Sequence, residues 1–181
     1  MHPRLMDITA YLASVRADLG GQLERLTPEE VHRAPAGGGW TVAQLTEHLG
    51  RVEGSTAKML ESLFARAIEA GLPADNATDS LVRALDKYDV PTRKSKIPAP
   101  EFLVPSATPD FPTVWSSLQK ARERTLRLVD SVDGRDLTQV SYKHPIFGPL
   151  NGYEWILFIG QHEARHLDQM REVLGVRTPA A

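Results

Sequence analysis

His162 and His166 lie four residues apart in the stretch Asn151–Gly175. On a helix, a rise of about 1.5 Å per residue puts both imidazoles on one face, about 6 Å apart along the axis. Two such rings can converge on one ion, with metal–nitrogen bonds of about 2.0–2.1 Å. They can equally be core histidines, each hydrogen-bonded to a neighbour, since an unsatisfied buried polar group costs about 1–3 kcal/mol. A third ligand from elsewhere in the chain decides between the two. Glu163 follows His162, so the residues also spell H-E-x-x-H, the zinc-protease signature with Glu as general base. That reading needs a further ligand after the motif, and only fifteen residues follow His166. Nor is there a strand-rich stretch to hold a peptide beside the metal.

The stretch that carries the pair is marked at both ends as a helix. Asn151 and Glu154 have capping-box spacing, Leu150 and Trp155 fall at the staple positions, and Gly175 sits where a left-handed C-cap belongs. Steps of three, four and seven from the histidines reach Trp155, Phe158, Ile159, Gln169, Met170 and Val173. The pair therefore lies on or beside the apolar stripe, away from Arg165, Asp168 and Glu172. The third histidine comes from W-T-V-A-Q-L-T-E-H-L, beginning at Trp40. Thr41 and Gln44 form a capping box there, stapled by Trp40 and Leu45. The helix is expected to run to about Ala70, with its stripe on Leu45, His48, Leu49, Val52, Met59, Leu63 and Ala67. His48 is on that stripe.

The rest of the chain bounds what such a site can do. Its 181 residues contain no cysteine, so any metal must use His, Asp or Glu, and no thiolate nucleophile is available. A net charge of −2 and a pI near 6.3 argue against nucleic acid or a membrane surface as the main partner. No apolar run reaches transmembrane length, and the N-terminus reads as an amphipathic helix rather than a signal peptide. One soluble, cytoplasmic domain over residues 1–181 is expected.

Two more helices complete the frame. Leu5, Ile8, Leu12, Val15, Leu19, Leu23 and Leu26 predict a first helix over Met6–Leu26, with a bend possible at Gly20-Gly21. A short helical turn follows the Thr27–Glu30 capping box. Asp110 N-caps another long helix, with its stripe on Val114, Leu118, Ala121, Thr125, Leu128 and Val132. Between the second and third long helices, Gly71–Pro109 has no sustained period. Ser80–Lys87 is a candidate short helix within it. The basic run Arg93-Lys94-Ser95-Lys96 reads as a solvated loop, with binding of an anionic substrate as the alternative. A long connection of this kind can cross from one end of a bundle to the other. His144 precedes a proline and is expected to be extended and near the surface, not a ligand. The fold class is all-α: a four-helix bundle with a long crossover between the second and third helices.

W-T-V-A-Q-L-x-E-H-L early, with H-P-I-F-G-P-L-N-x-Y-x-W and H-E-x-R-H-x-x-Q late, resembles the DinB/YfiT-like superfamily over nearly the whole chain. The resemblance implies this bundle and a metal site of three histidines, His48, His162 and His166. It further implies a metal-dependent enzyme, with transfer of a low-molecular-weight thiol such as bacillithiol or mycothiol to an electrophilic small molecule as the leading activity. A homodimer is also implied. Imidazole suits several transition metals, so the ligand set does not select among them; zinc or nickel is expected, with iron or manganese as alternatives. Glu47, Glu163 and Gln169 are candidate acceptors for the second N–H of a ligating histidine, and Glu163 is a candidate base. Competing readings are a metal-water hydrolase, a non-catalytic stress-associated metal-binding bundle, and a bundle whose histidines are merely packed.

Overall fold

The computed structural model describes residues 1–92 and 98–176. The basic run therefore lies outside the described residues. Four long helices carry the fold: α1 (Pro3–Leu23), α3 (Val42–Glu69), α4 (Phe111–Ser131) and α5 (Gly152–Val173), with a single-turn α2 (Pro28–His32) after α1. The three capping boxes form as the sequence predicts, at Thr27/Glu30, Thr41/Gln44 and Asn151/Glu154. Asp110 caps α4 by accepting from the Thr113 N–H. At the other end of α5, Gly175 has φ +72°. Its N–H donates to Glu172 O, and the Val176 N–H to Arg171 O, which closes the last turn as a Schellman motif. α1 starts three residues earlier than expected, with Pro3 in its first turn, and continues through Gly20 and Gly21 to Leu23.

The crossover sets the helix directions. Beyond the C-terminal ends of α3 and α4, Ala74 bridges Arg135, and the Asp136 N–H donates to Pro73 O at 2.9 Å. At the opposite end, Gln44 on α3 donates to Ser106 O and Ala107 O, just before α4 begins. α3 and α4 thus run parallel, and the crossover spans their length. Tyr153, at the start of α5, donates to Arg135 O and Asp75, so α5 runs antiparallel to both. α5 packs against α1 on one side and α3 on the other. The crossover is pinned by buried Leu72, Leu85 and Val90; the expected helix over Ser80–Lys87 is reduced to turns and a 3-10 turn at Asp86–Tyr88.

Two findings differ from the sequence reading. A short antiparallel hairpin, β1 (Ser141–His144) and β2 (Gly148–Asn151), occupies the approach to α5. Gly148, at φ +76°, supplies the left-handed residue that its turn requires. In α3, Leu45, His48, Leu49 and Val52 are buried as expected, but Met59, Leu63 and Ala67 are only partly so. The inward positions beyond Val52 are Glu53, Thr56, Ala57, Leu60 and Phe64. Counting apolar residues slipped past Glu53 and Thr56 because they are polar.

The apolar core divides in two. One cluster gathers Leu5, Ile8, Leu60, Phe64, Tyr153 and Ile156 with their neighbours. The other gathers Leu19, Val42, Leu45, Leu118, Leu167 and Met170. Between them, one charged side chain from each long helix enters the centre: Arg16, Glu53, Arg122 and Glu163. Arg122 Nε donates to Glu53 Oε1 at 2.7 Å and its Nη2 to Glu163 Oε2 at 2.6 Å. Arg16 Nε donates to Glu163 Oε1 at 2.7 Å and its Nη2 to Glu53 Oε2 at 2.8 Å. Two positive and two negative groups cancel, which is what makes a buried charged layer tolerable.

Candidate metal centre

His48 comes from α3 and His162 and His166 from α5, where the two helices pack side by side. One ligand atom from each ring falls in a cluster within 4.8 Å of one another. Ring centroids are 5.2 Å apart for His48 and His162, 4.9 Å for His48 and His166, and 4.5 Å for His162 and His166. The Nε2 atoms of His162 and His166 are 3.2 Å apart. The sequence thus brings together the three histidines it pointed to, and they can hold a metal ion.

The outer nitrogens are tied down. His48 Nδ1 is 2.8 Å from Leu103 O. A carbonyl oxygen only accepts, so Nδ1 carries the proton and Nε2 offers a lone pair inward. His166 Nδ1 donates to Gln169 Oε1 at 2.9 Å, which turns its Nε2 inward in the same way. Metal-ligating histidines are usually held by such an outer partner. Burial pushes His48 below its ordinary pKa, partly offset by the Leu103 carbonyl. Burial also pushes His162 well below, helped by the charges of His166, His48 and Arg165 nearby. A divalent ion requires its imidazole ligands neutral, the form that burial favours for His48 and His162. His48 and His166 are buried, whereas His162 keeps partial exposure, so the cluster is reached from one side.

The walls are aromatic. Trp40 lies 4.9 Å from His48, and Phe158 lies 5.4 Å from His162. The crossover forms the remaining edge. Besides Leu103, Val104 O accepts from Arg51 Nη1 at 2.8 Å, and Thr92 O accepts from Arg165. A groove of about 650 Å³ between α1 and α4, lined by Ala13, Ala17, Gly20, Trp115 and Leu126 among others, contains none of the histidines.

Three expectations need revision here. Glu47 does not serve a histidine; it accepts from Arg51 and from the Ser106 N–H and Oγ, clamping the crossover to α3. Glu163 is 1 % exposed, and both its oxygens accept from Arg16 and Arg122. Both oxygens face guanidiniums at the centre of the bundle, which places Glu163 in the charged layer. His144 is extended as expected, but it is buried rather than near the surface, because Phe147, Trp155 and Phe158 enclose it. The sequence reading also missed Arg16, Glu53 and Arg122. Their signal was present: each falls between apolar positions on an inward face.

A parallel α3–α4 pair joined by a full-length crossover, with three histidines converging from α3 and α5, defines a class of helical-bundle protein. The chain belongs to the DinB superfamily, which residues 11–170 match. It is 26% identical over 164 residues to the uncharacterized protein YuaE of Bacillus subtilis strain 168, covering 87% of this chain and 91% of that protein. The crystal structure of TT2238, a four-helix bundle protein, superposes with a TM-score of 0.63 at 22% identity, covering 93% of this chain and 98% of that one. This likeness bears on the fold alone. Among the described residues no helix is long and apolar enough to cross a membrane.

Proposed function

We propose that His48, His162 and His166 hold one divalent transition ion, zinc or nickel, and that the protein is a transferase joining a low-molecular-weight thiol to an electrophilic small molecule. The observation that carries the reading is the convergence of three imidazoles from two helices, each of the buried two fixed by an outer hydrogen bond. Three protein ligands are the number found at catalytic rather than structural zinc, where a further position stays open. When bound, a divalent ion there supplies Lewis acidity at that open position, lowering the pKa of a thiol or water held on it.

The chain's own residues do the rest. Leu103 O and Gln169 orient two of the rings. Trp40 and Phe158 exclude water on either side and offer apolar contact to the body of a substrate. The polypeptide has no cysteine, so the sulfur nucleophile of a transferase comes from the cosubstrate. The expected outcome of elemental analysis is about one equivalent of metal in the wild type, lost in His48→Ala, His162→Ala and His166→Ala. Turnover of a model electrophile by the loaded protein then depends on added thiol. Turnover that proceeds equally without thiol would replace the transferase by a hydrolase, and a wild type that takes up no metal would remove both.

A further inference from the structure

His144 ends β1 with 6 % of its surface exposed. Its ring stacks on Phe147 with centroids 4.5 Å apart, and meets Phe158 at 4.8 Å and Trp155 at 5.1 Å. Nδ1 accepts from two backbone donors of the hairpin turn, the Ile146 N–H at 3.2 Å and the Phe147 N–H at 3.3 Å. An N–H only donates, so Nδ1 carries no proton. Burial lowers the ring's pKa to about 4, and the imidazole is therefore neutral at pH 7. Its one ring proton must sit on Nε2.

That donor has no partner among the described residues, yet Nε2 is not sealed away like His2 Nδ1 or Gln161 Oε1. One aromatic ring separates it from the histidine cluster. Phe158 touches both sides, 4.8 Å from His144 and 5.4 Å from His162. The hairpin makes the mounting rigid. Its register runs from His144↔Gly148 to Ser141↔Asn151, the N-cap of α5, so His144 is fixed to the helix that carries His162 and His166. A few oriented polar groups among aromatic walls are what give a small-molecule site its specificity.

We propose that His144 is a substrate-orienting residue of this site, its Nε2–H donating a hydrogen bond to an anionic or carbonyl acceptor on the small molecule seated beside His162. The inference rests on the metal centre proposed above, and it asks for no change in the protonation of His144. Two substitutions separate the two edges of the ring. Asn places an amide oxygen where Nδ1 was and keeps the acceptor for the turn, but removes the donor. Gln reaches the Nε2 position with an amide N–H.

The experiment loads wild type, His144→Asn and His144→Gln with cobalt(II) and titrates azide, following the visible spectrum. All three are expected to bind the same amount of cobalt; His144→Asn melts with the wild type, and His144→Gln, which leaves the Ile146 and Phe147 N–H groups without their acceptor, melts lower. His144→Asn is expected to bind azide about tenfold more weakly, the worth of one hydrogen bond to a charged group, and His144→Gln within about twofold of wild type. Azide affinity unchanged in His144→Asn overturns the proposal while leaving the metal centre intact. Absence of cobalt from the wild type overturns the metal centre itself, and this proposal with it, and is read separately as stoichiometry. In the metal-free protein, nitrogen-15 NMR should show His144 protonated at Nε2 and bare at Nδ1; the opposite tautomer also overturns the assignment.

Discussion

The histidine cluster and the charged layer share α3 and α5 and behave in opposite ways. His48 and Glu53 both lie on α3, and His162 and Glu163 are neighbours on α5. One residue is a rotation of about 100° around a helix, enough to separate the edge of the bundle from its centre. In the charged layer every carboxylate oxygen accepts from a guanidinium. Arg122 Nη1 also donates to Leu12 O and Arg16 Nη1 to Leu118 O, and Thr125 adds a hydroxyl to Glu53. That polarity closes on itself. In the cluster the outer nitrogens of His48 and His166 are tied to acceptors, and the inner ones converge. Buried polarity that closes on itself holds a fold together. Buried polarity that is fixed from behind and converges in front is suited to a ligand.

The largest effect should come from breaking the closed set. Glu163→Ala leaves the buried Arg122 and the partly buried Arg16 short of a partner, and removing one member of a buried ion pair costs about 3–5 kcal/mol. Urea unfolding measures it; a loss below about 1 kcal/mol would mean that the layer is not what joins the four helices. The fraction that stays folded should still take up metal. A middle-sized effect tests the open set. Zinc at a hundredfold excess over its dissociation constant should stabilise the wild type by about 2.7 kcal/mol, and His48→Ala not at all. A wild-type melting temperature that ignores both zinc and chelator would contradict a metal tie between α3 and α5. The smallest effect sharpens the boundary. Thr125→Val deletes one hydrogen bond to Glu53 and should cost about 1–3 kcal/mol, with metal content unaltered.

Helix ends and inner faces were legible because their signals are local. A Thr, Asn or Asp with its partner three residues on caps a helix whatever the rest of the chain does, and four such caps form here. His48, His162 and His166 were legible for a related reason: each lies on a stripe that its own helix defines. Glu163 was a candidate base, and the H-E-x-x-H pattern says nothing about which neighbouring helix supplies its countercharge. The second half of the α3 stripe slipped because Glu53 and Thr56 look outward by type and point inward in fact. His144 was expected at the surface from its proline neighbour, and that local rule fixed its backbone but not its burial.

By itself, then, the sequence determined four long helices, their caps, the absence of any thiolate from the chain's own residues and the three histidines that face inward. Those follow from interactions spanning at most a few turns. Tertiary structure alone decided that α3 and α4 run parallel beneath the crossover, that Leu103 O orients His48 across 55 positions, and that the carboxylate beside His162 belongs to Arg16 and Arg122. Each of these depends on which helix lies against which. Periodicity along one helix fixes a direction of burial, but the partner met in that direction is chosen only when the whole bundle packs.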